Sequence, residues 1–178
     1  MSVYSIGLLQ GYLPNGVDNA QGYRERFFND LELNNYYIFF DAPIRKSVYY
    51  YESLGIPHKK MISPYHFFTK RGHVSLNDSK DEVLDRIKQT MCYDEIRIED
   101  DFITLYYENK RILVIVLDNH NKAYVERIHY YKDECLIRTE FYLGGLFYAE
   151  MYETRKNNDG LLYAKKIKRT YYMIDGRV

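Results

Sequence analysis

The residues best placed to do chemistry form one short loop. Gly11-Tyr12-Leu13-Pro14-Asn15-Gly16-Val17-Asp18 joins an apolar run, Val3 to Leu9, to a segment with helical periodicity. A first strand-to-helix junction of this kind presents backbone N–H groups and the positive end of a helix, both of which suit a phosphate. Gly11 and Gly16 would let the chain approach a diphosphate closely. The spacing is not the dinucleotide G-x-G-x-x-G, and no P-loop Lys-Ser/Thr follows it. A tight structural turn fits the same residues, so both readings stand.

Elsewhere the reactive side chains are scattered. His58, His66, His73, His120 and His129 include no i,i+4 pair with a carboxylate, so no metal site is expected. Glu99-Asp100-Asp101 reads as a solvated turn rather than a pair of acid–base carboxylates. There is no G-x-S-x-G, and neither Cys92 nor Cys135 lies near a His-based signature. The basic run Lys165-Lys166-Ile167-Lys168-Arg169 stands beside Tyr171 and Tyr172 and could meet a phosphate backbone. Lys+Arg and Asp+Glu, however, are equal at 25 each. That balance removes the excess positive charge on which nucleic-acid affinity depends, and predicts a solvated strand face instead. The chain holds no complete catalytic constellation.

The elements that must position the loop fall into two parts, 1–74 and 75–178. The first reads as β-α-β-α-β. Val17, Ala20, Arg24, Phe27, Phe28 and Leu31 recur at helical spacing, with Asn15 as N-cap and Asp18 three residues on. Tyr36 to Phe40 is a second strand. A second helix, Ile44 to Leu54, ends at Gly55 with Pro57 beyond, and Lys60 to Ser63 is a short third strand. Alternating strands and helices imply parallel pairing, the start of a Rossmann-like sheet.

From Ser75 the pattern changes. Ser79-Lys80-Asp81-Glu82 is a capping box ahead of a short helix carrying Val83, Leu84 and Ile87. Short strands follow around Ile96 and over Phe102 to Tyr107, Ile112 to Leu117, Tyr124 to Tyr131, Cys135 to Tyr142, Phe147 to Tyr152 and Leu162 to Met173. Turn residues separate them, which predicts an antiparallel meander and an α+β chain overall. The Asp175-Gly176 hairpin signal is followed only by Arg177 and Val178, as expected of an N-terminal piece whose β domain is incomplete.

Composition agrees with an ordinary folded protein: 46% hydrophobic and 28% charged, with 21 Tyr, 9 Phe and no Trp. Tyr suits a sheet that packs on one side and is wet on the other. Two distant Cys fit reduced thiols, and no stretch approaches the about 20 apolar residues of a membrane span.

Val3-Tyr4-Ser5-Ile6, the loop Gly11 to Asp18, and Ala20-Gln21-Gly22-Tyr23-Arg24 together resemble the start of a bacterial GT-B glycosyltransferase family. Its members include accessory-Sec enzymes that place N-acetylglucosamine on serine-rich adhesins, staphylococcal enzymes that modify Ser-Asp repeats, and teichoic-acid glycosyltransferases. The resemblance implies two Rossmann-like domains with the active site between them, and an antiparallel β domain inserted in the first. It implies a UDP-sugar donor, no further cofactor, retention of configuration, and a polypeptide or teichoic-acid acceptor. A partner subunit or a homo-oligomer formed through the β domain is implied too, with a cytoplasmic location that leaves room for peripheral membrane contact.

By the same resemblance Gly11, Asn15, Gly16, Val17 and Asp18 face the donor diphosphate and acceptor. Pro14 and Asn15 stand where small or hydroxylated residues are frequent, and Asp18 stands where Glu is frequent. The family's nucleotide-sugar clamp and paired glutamates belong to the second Rossmann domain. No catalytic residue is therefore expected here, and the isolated chain is expected to be inactive. Met61-Ile62-Ser63-Pro64-Tyr65 with Phe67-Phe68 also resembles the non-catalytic partner subunit of the adhesin system. That leaves a binding module for the acceptor polypeptide as the alternative, although Ser63 as N-cap and Pro64 at N1 explain the motif locally.

Overall fold

The computed structural model describes residues 2–7, 16–71 and 75–178, without the side chains of 17 and 18. The chain divides into two compact units, 1–75 and 76–178.

In the first unit, β1 (Ser2–Gly7), β2 (Asn34–Phe39) and β3 (Met61–Ile62) form a parallel sheet in the order β1-β2-β3. Helix α1 (Gly16–Asp30) connects the first two strands, and α2 (Arg45–Ser53) with a 3-10 turn at His58–Lys60 leads into the third. Gly55, at φ 89°, takes the left-handed position after α2 that a Cβ would disfavour. Helix α3 (Pro64–Phe68) starts as its sequence requires, with the Tyr65 N–H donating to Ser63 Oγ at 3.2 Å.

Helix α1 departs from the expected pattern. Its apolar spacing placed Phe27 and Leu31 inward with Val17, Ala20, Arg24 and Phe28. Phe27 and Leu31 are exposed, and the buried positions are Gly22 and Glu25. Two contacts decide this. A Cβ on Gly22 would lie 2.7 Å from the Leu54 carbonyl oxygen, so the helix packs backbone to backbone on the end of α2. Glu25, in turn, is drawn inward by a charged partner described below.

In the second unit, β4 (Glu95–Ile98), β5 (Phe102–Tyr107), β6 (Lys110–Leu117), β7 (Val125–Lys132), β8 (Cys135–Tyr142), β9 (Leu146–Lys156) and β10 (Leu162–Tyr171) form one antiparallel sheet whose spatial order repeats the sequence order. Helix α4 (Lys80–Thr90) is capped by Ser79, whose hydroxyl accepts from the Glu82 N–H. Its Val83, Leu84 and Ile87 pack with Ile103, Leu105, Leu113, Ile115, Ile128 and Tyr142 to form the core. The turns β5–β6 and β7–β8 place Glu108, Asn109, Asp133 and Glu134 at positive φ, the twist that two-residue hairpins need. The Asp78 carboxylate accepts from the Gly144 and Gly145 N–H groups, fixing the β8–β9 turn to the segment that leads into α4.

Candidate functional site

Of the sequence-predicted residues, Gly11 and Asn15 lie outside the described residues. Gly16 is exposed at the first position of α1, and Val17 and Asp18 follow in its first turn. Among the described residues, and leaving aside its chain neighbours and its own helix backbone, nothing lies within 4 Å of where a Gly16 Cβ would sit. A Cβ on Gly7, the last residue of β1, would meet Gln21 Nε2 at 3.8 Å. The C-terminal end of the first strand and the first turns of the first helix are thus neighbours, the arrangement in which α/β folds present N–H groups to an anion.

Beneath that helix lies a polar cluster that the periodicity did not reveal. Glu25 is wholly buried, and Lys60 Nζ meets its Oε1 at 2.5 Å. Asn35 Nδ2 donates to Glu25 Oε2 at 3.4 Å, and Ser5 Oγ donates to Asn35 Oδ1 at 3.4 Å. Lys60 also reaches Asn29 Oδ1 at 3.0 Å. The Tyr37 hydroxyl donates to the Gln21 carbonyl, and burial, followed by the Glu25 charge, pushes its pKa up. One cluster therefore ties α1 to all three strands or their lead-in turns, and fixes where the helix N-terminus points.

In the second unit, the sheet has two chemically distinct faces. Row Ile98–Ile103–Ile115–Ile128–Glu140–Ala149–Thr170 crosses all seven strands on the α4 side, and is apolar through β7. Its neighbour on the opposite face runs Arg97–Thr104–Val114–His129–Thr139–Glu150–Arg169. This polar row is linked by hydrogen bonds. Arg127 Nε donates to His129 Nε2 at 3.2 Å, which leaves Nδ1–H to donate to Thr139 Oγ1 at 3.0 Å. Glu150 accepts from Tyr152, Lys166 and Arg169, and these bonds outweigh burial and hold its carboxyl below the usual range. Aromatic rings flank the row: Phe141 stacks on Tyr148 at 4.4 Å, and Arg111 lies 4.1 Å over Tyr131.

His129 gives this face a measurable signature. Burial first, then the Arg127 and Arg111 charges, lower its pKa from 6.5 to about 4. Between those values the unfolded chain binds a proton that the folded chain refuses, so stability falls as pH falls through that window. After discounting for partial solvent access, acidifying from about pH 7 to about pH 5 should lower stability by about 1 kcal/mol. Urea unfolding at the two pH values, compared with His129→Gln, checks this: the variant should lose that slope.

Among the described residues no group of three or more His, Cys, Asp or Glu side chains could hold a metal ion, and no helix is long and apolar enough to cross a membrane. Cys92 and Cys135 are both free.

Residues 94–178 match the model of the GtfA extended beta-sheet domain. Over its whole length the chain is 25% identical, across 180 residues, to the GtfA subunit of a UDP-N-acetylglucosamine–peptide N-acetylglucosaminyltransferase from Streptococcus parasanguinis, covering 100% of this chain and 35% of that one. The chain is similar over its whole length to GtfA subunits named in this way. It spans about a third of the length of the curated relatives it matches. The same fold occurs in a GtfA/B complex, with a TM-score of 0.80 at 22% identity over 99% of this chain and 34% of that one. It occurs also in the pneumococcal O-GlcNAc transferase GtfA bound to UDP and GlcNAc, with a TM-score of 0.79 at 22% identity over the same shares. The Rossmann-like start followed by an antiparallel meander, and the α+β class, are as the sequence led us to expect.

Proposed function

We propose that this chain is the N-terminal region of a retaining UDP-sugar glycosyltransferase that modifies a serine-rich surface protein or a teichoic acid. One observation carries the reading: the β-α-β unit and the long sheet match, together and in one order, relatives named as N-acetylglucosaminyltransferases. In this reading the loop ending at Gly16, Val17 and Asp18, with Gly11 and Asn15, faces the donor diphosphate. The N-terminus of α1 stabilises the charge that develops as the diphosphate departs. The cluster around Glu25 holds that helix end in place. The sheet contributes acceptor binding or contact with a partner subunit, and the assembly of a relative as a GtfA/B complex supports the second of these. The polar row of the sheet, flanked by tyrosines, also favours the alternative of a non-catalytic module that recognises an acceptor polypeptide.

Sugar transfer from UDP-N-acetylglucosamine to a serine-rich polypeptide tests the proposal. The 178-residue chain alone should transfer nothing, whereas a polypeptide that continues past Val178 through a second Rossmann-like domain should be active. Transfer by the short chain would overturn this division of labour. A coding sequence lacking a second domain with paired glutamates would favour the binding module.

A further inference from the structure

Helix α1 carries a second apolar stripe on the side away from its core contacts. Gly22 and Glu25 are buried, whereas Ala20, Tyr23, Phe27 and Leu31, spaced i, i+3, i+7 and i+11, stand opposite them and are exposed. Tyr23 is 69% open, Phe27 59% and Leu31 52%. Leu31 lies one residue past the helix, but its N–H still donates to the Phe27 carbonyl at 3.2 Å, so the stripe runs unbroken to it. Single exposed apolar residues are ordinary; a stripe at this spacing is the seam by which helices pair. The helix cannot roll to hide it. Gly22 lies against the Leu54 carbonyl, and Glu25 is bonded to Lys60.

We infer that this stripe is the interface of a homodimer in which two copies of α1 pack antiparallel about a two-fold axis at Phe27. Self-complementarity decides the occupant. With Phe27 on the axis, each residue before it in one copy stands level with the residue equally far after it in the other. Tyr23 then packs beside Leu31 of the second copy, and Phe27 meets Phe27. Arg26, whose guanidinium lies 5.5 Å over the Tyr23 ring, and Asp30 are exposed on one and the same flank of the stripe. In an antiparallel two-fold pair like flanks face each other, so Arg26 of each copy reaches Asp30 of the other, twice. A parallel pair would set this flank against the one bearing Arg24 and Phe28, and lose both ion pairs. Three side chains more than half open offer roughly 400 Å² per copy. With its rims the pair buries about 1,000 Å² in all, the lower end for a specific interface, and an affinity in the micromolar range follows. This surface belongs to the first unit and not to the sheet of the second, and the inference does not rest on sugar transfer.

Sedimentation equilibrium of the full 178-residue chain tests this. Between about 1 and about 200 µM the mean mass should rise from one chain toward two. Phe27→Glu sets two like charges together on the axis and should weaken association by about 100-fold or more. The position is exposed, so far-UV circular dichroism should show the fold intact. Arg26→Asp should weaken association by about tenfold, and adding Asp30→Arg to it should restore the wild-type affinity, because the exchanged charges again meet across the axis. A monomer at every concentration would overturn the inference. So would association that survives Phe27→Glu, which would assign it to another surface such as an open edge of the sheet. A charge exchange that restores nothing would overturn the antiparallel pairing and the inference with it.

Discussion

Replacing Lys60 with methionine should destabilise the first unit by about 3–5 kcal/mol, one of the largest effects expected in this molecule. The reason is the asymmetry of its ion pair. The Glu25 side chain is 1% exposed and the Lys60 side chain 18%, with 2.5 Å between Nζ and Oε1. Removing the lysine strands a carboxylate in the interior, where the Asn35 amide at 3.4 Å is a weak substitute for the lost charge. Removing the glutamate leaves a lysine whose stem can swing its head to water, so Glu25→Leu should cost no more than about 1–2 kcal/mol. The double variant, Lys60→Met with Glu25→Leu, should recover most of the loss, because apolar replacement of both partners is often nearly neutral. A double-mutant cycle by urea denaturation measures all three. Equal losses in the two single variants would show that burial does not govern the pair.

The second large effect concerns the sheet. Ile115 is wholly buried in the third strand of the meander, between Ile103 and Ile128 in register and within the cluster that includes the inner face of α4. Ile115→Ala should lower stability by about 3–4 kcal/mol, through lost transfer energy and the cavity left behind, and Ile115→Val by about 1 kcal/mol. Hydrogen exchange should show the loss at the β5, β6 and β7 amides. A loss below about 1 kcal/mol for the alanine variant would mean that the core collapses around the gap.

Much of the architecture was legible in the residues, and the failures are informative. Cys135–Tyr142 is a strand from end to end, and Ser79, Ser63 and Gly55 hold the cap positions assigned to them. These signals are local: a hydroxyl reaches an N–H two or three residues away, and a glycine takes a left-handed turn. The inner face of α1 was not legible. It depends on Leu54 and Lys60, which lie more than thirty residues from Gly22 and Glu25, whereas periodicity weighs only the helix's own side chains. Strand β9 runs to Lys156 rather than ending at Tyr152, because Glu153-Thr154-Arg155-Lys156 carries no apolar alternation and is held in place by pairing with β10. Of the candidate loop, Gly16 can be placed at the start of a helix, and the Glu25 cluster that anchors that helix had no motif to announce it.

The meander is built from neighbouring strands alone. Each of its strands pairs only with the strands before and after it in the chain, from β4 to β10. No connection crosses another, so a hairpin gained or lost at the β10 end would leave every earlier pairing and the α4 core intact. The width of such a sheet is a quantity that insertion and deletion can adjust without rethreading the fold, and the surface it offers can lengthen by whole hairpins while the helix-bearing unit before it stays the same.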